Sequence, residues 1–232
     1  MPLRVLRPLL LLAALLAGLF VLALASGSQF IAPADLPGLL WGGAGSPEAE
    51  ILQRLRLPRA LAAMSVGALL ALAGALMQVL LRNPLADPYV LGLSGGAALG
   101  ALSMIALGCS VLAVHLGAFG GALAVVVSVF ALAHHDLGRL ESVSRQDPAP
   151  RLLLTGVMLS AISMAGVSLI LSLAPGERLR GMLFWMLGDL SGTDVHPLVL
   201  AAPLALLALL WPLGRELNLL LRGPGQIGRA HV

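Results

Sequence analysis

Gly92-Leu93-Ser94-Gly95-Gly96 satisfies the G-x-S-x-G pattern that presents a nucleophilic serine. In a hydrolase fold the pattern needs a strand before it and a helix after it, and here it lies in an apolar run with neither. His115 and His196 are the histidines that could serve Ser94 as a base, and the two groups would have to come within about 3 Å. His134-His135-Asp136 is the densest group of metal-ligand types, but two adjacent histidines do not face a common point on a helix, so no metal site is expected. The single cysteine, Cys109, permits neither an internal disulfide nor a Cys-x-x-Cys site. All 14 basic residues are arginine, which removes the P-loop lysine that holds ATP phosphates and any Schiff-base lysine. No catalytic residue and no resident cofactor emerge.

The elements that carry these residues follow from composition. Of 232 residues, 59% are apolar and 11% charged, against about 25% charged in soluble domains. With a mean hydropathy of +0.97, the solvent of this chain is lipid. The pI of about 10.4 does not indicate nucleic acid, because the arginines are scattered between apolar runs. The class is all-α and polytopic. Charge-free runs predict spans over 8–26, between Arg59 and Arg82, two within 87–136 divided at Gly108-Cys109-Ser110, one between Arg151 and Pro175, and one between Val195 and Gly214. That makes six transmembrane helices.

Placing the N-terminus in the cytoplasm puts Arg4, Arg7, Arg82, Arg139, Arg145, Arg151, Arg215 and Arg222 inside. Arg54, Arg56, Arg59, Arg178 and Arg180 then lie outside and need a reason to be there. Arg4, Arg7 and Ala23-Leu24-Ala25 also fit a secretory signal, but the apolar run exceeds the usual 7–15 residues of a signal core. Residues 1–225 read as one transmembrane domain. At the other end, Ile227-Gly228-Arg229-Ala230-His231-Val232 back-translates into a common sequencing-adapter sequence, so 226–232 reads as a non-native tail.

Within the spans, Gly92, Gly96 and Gly100 fall four apart, as do Gly117 and Gly121, while Gly67 and Gly74 are seven apart. Such spacing lets helix backbones approach closely in lipid. Asn83-Pro84-Leu85-Ala86-Asp87-Pro88 should end one helix and precede the next, because both prolines lack an amide donor and bias Asn83 and Asp87 away from helical geometry. Two readings stay open: a tight cytoplasmic turn, or a jointed segment beside a transport path. Gln78 either bonds a neighbouring helix or touches a polar cargo. Arg54, Arg56 and Arg59 either snorkel towards headgroups or form a cationic patch that receives carboxylates. Gly181-Met182-Leu183-Phe184-Trp185-Met186-Leu187-Gly188-Asp189 is too short to cross and suits a short interfacial helix. His134 to Pro150 reads as a cytoplasmic loop.

One enzymatic alternative is a rhomboid-like intramembrane serine protease, which pairs a G-x-S-G serine with a histidine inside six helices. Against it, Ser94 is roughly 9 Å along its helix from the cytoplasmic end, whereas His115 and His196 are expected near the opposite ends of their spans.

Arg56-Leu57-Pro58-Arg59, Gly67, Gly74, Gln78, Arg82-Asn83-Pro84-Leu85-Ala86-Asp87-Pro88 and Leu91-Gly92-Leu93-Ser94-Gly95-Gly96-Ala97 together strongly resemble the FecCD family, the permease subunits of importers for ferric siderophores, haem and cobalamin. Leu154-Thr155-Gly156 and Phe184-Trp185-Met186-Leu187-Gly188-Asp189-Leu190 resemble that family's next landmarks. The resemblance implies a normally ten-helix type II ABC importer permease in the bacterial inner membrane, working by alternating access without covalent chemistry. It implies a second permease copy, two cytoplasmic ATPase subunits that bind ATP and Mg, and a periplasmic or lipid-anchored binding protein. By the same resemblance Arg56 and Arg59 dock glutamates of the binding protein, Gln78, Ser94 and Ser160 line the cargo path, and Asn83, Pro84, Asp87 and Pro88 form the helix break. Six spans instead of ten make a C-terminally truncated fragment the expectation.

Overall fold

The computed structural model describes residues 3–42, 45–139, 149–190 and 197–222. They form α1 (Leu3–Ala25), α2 (Leu36–Trp41), α3 (Pro47–Ile51), α4 (Leu57–Leu80), α5 (Leu93–Ala106), α6 (Val111–Arg139), α7 (Ala149–Leu173), α8 (Gly176–Leu187), α9 (Pro197–Leu210) and α10 (Gly214–Arg222), with no strand among the described residues. Among the described residues, four runs are long and apolar enough to cross a membrane: Leu6–Ala25, Pro47–Leu80, Val111–Leu132 and Leu152–Leu173. Counting the broken pair Pro197–Leu210 and Gly214–Leu220 as one span gives five.

The expected count of six is therefore approximate, and length explains why. Helix α5 has 14 residues, about 21 Å of rise against a hydrocarbon core of about 30 Å. Its division from α6 falls at Gly108, whose φ of +72° suits glycine. His134-His135-Asp136, expected in a loop, instead continues α6 to Arg139, because no glycine or proline interrupts 122–137. Side chains of that stretch, residues 140–148, His196 and the adapter-like tail lie outside the described residues.

The chain divides into two compact units, Met1–Leu69 with Leu190–Leu209, and Leu70–Asp189 with Leu210–Val232. In the first, Leu24, Ile31, Leu36, Leu52 and Ala60 form a buried cluster beneath the α1–α4 connection. Ser46 caps α3, accepting from the Ala49 amide at 3.2 Å with Pro47 in the first turn. Leu52–Arg56 widens into a π-helical turn. Pro58 accounts for it: the ring has no amide to donate and would crowd the carbonyl four residues back, which a wider turn relieves.

Proline also shapes α9. Pro203 lies inside the helix and leaves the Val199 carbonyl without its amide donor. The hydroxyl of Ser65, itself 4% exposed, donates to that carbonyl from α4. A neighbouring hydroxyl satisfying a proline-freed carbonyl is how lipid tolerates the break. Ser65→Ala should cost about 1–2 kcal/mol, read as a lower thermal midpoint. In a Pro203→Ala background, where residue 203 regains its amide, that cost should nearly vanish; an equal cost in both backgrounds refutes the compensation.

In the second unit, α5 is packed between α6 and α7. Ala98, Ala101, Leu102, Val114, Val167 and Met182 are buried together at one end. Leu81, Ala86, Leu91, Val125, Val129 and Leu152 are buried together near the turn that precedes α5. By contrast, α1 leaves Leu10, Leu11, Leu12, Leu15, Leu19 and Leu22 largely exposed, an apolar face suited to lipid rather than to water.

Candidate functional site

The glycines of the G-x-S-x-G segment are explained by backbone contact. A Cβ on Gly100 would lie 2.0 Å from the Gly117 carbonyl oxygen, and one on Gly121 would lie 2.1 Å from that of Gly96. These two pairs lock α5 onto α6 with backbones touching, which small residues four apart allow. Gly92 and Gly95 turn instead towards α7: a Cβ on Gly92 would lie 2.9 Å from the Gly156 oxygen, and one on Gly95 would lie 3.1 Å from Ser163 Cβ. Gly92 also takes a left-handed φ of +81° to begin α5. The other expected pair does not pack this way: Gly67 has open space beside it and Gly74 meets only Pro88 Cδ at 4.0 Å.

Ser94 projects from this seam as an exposed residue. With Gly96 opposite Gly121 and Gly100 opposite Gly117, the antiparallel register separates Ser94 and His115 by about eight residues, or about 12 Å along the axis. That distance breaks the serine–histidine dyad of the protease alternative. Ser160 instead sits at the α5–α7 contact, its backbone nitrogen 3.1 Å from a Cβ built on Gly92 and its hydroxyl oxygen 3.6 Å from one on Gly95. Gln78 is exposed near the end of α4. Its side chain makes no hydrogen bond among the described residues, so the bond to a neighbouring helix is not seen.

The segment between α4 and α5 is held by its own polar side chains. Asn83 Oδ1 accepts from the Leu85 amide at 2.9 Å, and Asp87 Oδ1 accepts from Tyr89 at 2.7 Å. Asp87 thereby caps a short 3₁₀ turn, Pro88–Leu91, with Pro88 in its first position. Arg82, at φ +46°, donates from Nε to the Leu220 carbonyl near the end of α10 at 2.9 Å. Asn83, Pro84, Asp87 and Pro88 thus lie in irregular backbone that leads into a helix shorter than a full span.

The five arginines assigned to the outside separate into distinct environments. Arg54 pairs with Glu50 at 3.4 Å, both well exposed, a contact worth about 0–1 kcal/mol. Arg178 donates from Nη1 to the Ala106 carbonyl at the end of α5. Arg56 is half-buried and donates from Nη1 to the carbonyls of Leu24 at 2.8 Å and Ala25 at 3.0 Å, and from Nη2 to Gln29. It caps the end of α1, whose last carbonyls lack amide partners within the helix and carry the negative end of the helix dipole. Such a charged bond is typically worth about 1.5–3 kcal/mol. Arg59 and Arg180 are exposed and make no hydrogen bond or ion pair among the described residues.

The spacing of Arg56 and Arg59 signalled a cationic pair, but not that one of them is committed to backbone. Arg56, Arg82 and Arg178 each reach a helix end far away in sequence, so no local pattern marks this role. Among the described residues there is no group of three or more His, Cys, Asp or Glu able to hold a metal.

Comparison with known proteins matches residues 14–225 to the FecCD transport family. The chain is 36% identical over 184 residues to the cobalamin import system permease protein BtuC of Halobacterium salinarum, covering 77% of this chain and 47% of that one. It is 36% identical over 192 residues to the vitamin B12 import system permease protein BtuC of Escherichia coli, covering 81% and 53%. It therefore spans about half the length of the curated relatives it matches. A solved structure of a metal-chelate type ABC transporter in an inward-facing conformation aligns with a TM-score of 0.74 at 26% identity, over 97% of this chain and 68% of that chain. With the glycine-locked α5–α6–α7 bundle and the proline-broken approach to α5 falling inside the matched residues, the chain belongs to the FecCD transport family.

Proposed function

We propose that this chain is the membrane-spanning part of an ABC importer permease that moves a metal chelate of the cobalamin class across the bacterial inner membrane. The observation that carries this reading is the 36% identity over 192 residues to a vitamin B12 import permease. The solved relative described as a metal-chelate transporter supports the metal-chelate class, to which the family resemblance adds ferric siderophores and haem. The working unit pairs two permease copies with two cytoplasmic ATPase subunits, which bind ATP and Mg, and with a substrate-binding protein outside. The N-terminus lies in the cytoplasm, so the start of α4 faces the binding protein and its arginines receive carboxylates there.

Transport in this scheme is alternating access. Asn83, Pro84, Asp87 and Pro88 let the α4–α5 segment move as a joint, since irregular backbone in a membrane is tolerated where it lines a cavity. Gln78, exposed without a side-chain partner, and Ser94, exposed on the free side of α5, are polar groups a chelate could slide past; Ser160 backs them at the α5–α7 seam. Proteoliposomes carrying the complete permease, its ATPase and its binding protein should accumulate labelled cobalamin only when ATP and Mg are enclosed on the ATPase side. Accumulation of a ferric siderophore instead would reassign the cargo within the class, and accumulation of neither chelate under those conditions would remove the import function.

A further inference from the structure

We infer that the two arginines at the start of α4 divide their work: Arg56 is a positioning residue that ties α4 to the end of α1, and Arg59 alone makes the docking contact. The inference rests on the docking reading proposed above and assigns different roles within it.

The donors decide the matter. Arg56 is half-buried and spends both terminal nitrogens on the carbonyls of Leu24, Ala25 and Gln29. A carboxylate arriving from a partner would find three of the five N–H donors already committed to those carbonyls, and the other two on the Nε–Nη2 side that lies against Gly27. The α1 end offers the Leu24 carbonyl no amide partner among the described residues, while the Ala25 carbonyl also accepts from Ile31 at 3.0 Å. Gly27 leaves the space the guanidinium occupies: a Cβ there would lie 2.6 Å from Nη2 and 2.9 Å from Cζ. The same stretch ties down a second element, since Gln53 donates from Nε2 to the carbonyls of Leu39 and Leu40 at the end of α2 at 2.7 and 3.3 Å. Both side chains come from the π-helical turn Leu52–Arg56 or its edge. That turn thus acts as a backbone clamp, one turn ahead of an exposed cation, Arg59, that has no partner among the described residues.

Two substitutions separate charge from capping. Arg56→Lys keeps the positive charge but loses the forked donors that span several carbonyls. Gly27→Ala keeps the arginine and pushes its guanidinium away. The complete permease, assembled with its ATPase, is measured for binding-protein affinity at low and high salt and for hydrogen exchange over 26–31. Arg59→Gln should weaken docking about tenfold or more, flatten its salt dependence and leave that exchange unchanged. Arg56→Lys and Gly27→Ala should both speed exchange over 26–31 and weaken docking less, with the salt slope retained. Because Arg56 acts through Arg59, the double variant Arg56→Lys with Arg59→Gln should bind no more weakly than Arg59→Gln alone.

Three results overturn the assignment: unchanged exchange in Gly27→Ala, tighter docking in Gly27→Ala as the freed guanidinium joins the contact, or additive losses in the double variant. Wild-type affinity in Arg59→Gln would remove the docking reading itself, while the exchange data would still decide whether Arg56 holds α1.

Discussion

Arg56→Glu combined with Arg59→Glu in the complete transporter should abolish chelate uptake while the permease still enters the membrane. Insertion depends on apolar stretches such as Leu6–Ala25 and, within the Pro47–Leu80 run, residues 60–80, which neither substitution touches. In the docking proposed above, the decisive charge lies at the start of α4. Arg59 is exposed with no partner among the described residues, so its reversal places a carboxylate against the carboxylates it should receive. Truncating one partner of a buried, hydrogen-bonded charge pair costs about 2–5 kcal/mol, a factor of roughly thirty to several thousand in affinity, and reversal adds repulsion. At position 56 a glutamate would also lose the bonds to Leu24 and Ala25 and bring negative charge to the negative end of α1. Uptake of labelled chelate, binding-protein affinity and resistance to alkaline extraction measure the three parts separately. Wild-type uptake by the double variant eliminates the docking role.

The second large effect lies in the bundle. Gly100→Val should prevent α5 and α6 from closing, because even the Cβ would sit 2.0 Å from the Gly117 carbonyl oxygen and 2.8 Å from its carbon. Overpacked cores usually lose about 1–3 kcal/mol by shifting flexible side chains. Here the obstacle is backbone, and the opposing Gly121–Gly96 contact is just as tight, so the whole helix pair must separate. The expected readout is loss of monodisperse permease after detergent extraction and loss of uptake. Gly120→Val is the control: the residue is on the same helix, but nothing lies within 4 Å of its Cβ position, and that variant should behave like the wild type. A Gly100→Val protein that extracts and melts as the parent does would mean that the α5–α6 seam is not closed in the membrane.

The arginine environments account for a puzzle in the charge pattern. Five arginines assigned to the outside are many for a chain expected to keep its positive charge in the cytoplasm. Arg56 and Arg178 are consumed by carbonyls at the ends of α1 and α5, and Arg54 by Glu50. Arg82 does the same for α10 on the side assigned to the cytoplasm. A guanidinium suits such sites, since it is always charged and presents several donors at once. Capping of helix ends, rather than lipid contact alone, accounts for Arg56, Arg82 and Arg178.

Element positions were largely legible in the amino acids, because hydropathy runs, proline and glycine act on their immediate neighbours. The break at Asn83-Pro84-Leu85-Ala86-Asp87-Pro88, the division at Gly108 and the close seam of Gly96, Gly100, Gly117 and Gly121 all follow from residues within a few turns of one another. The loop expected from His134 does not begin there, since nothing local stops α6 before Arg139. The count of six spans is approximate because an apolar run can fold as a helix about two-thirds of the core thickness in length, such as α5.

The outcome at single polar groups was of another kind. Arg56 and Arg59 look alike in the chain, and three-dimensional placement alone made one a helix cap and left the other exposed. The same holds for Ser65, whose hydroxyl answers a carbonyl 134 positions away that Pro203 deprived of its donor. Apolar burial is a summed, local preference that a run of residues announces for itself. A hydrogen bond is short and directional, so its partner is known only once distant helices have packed.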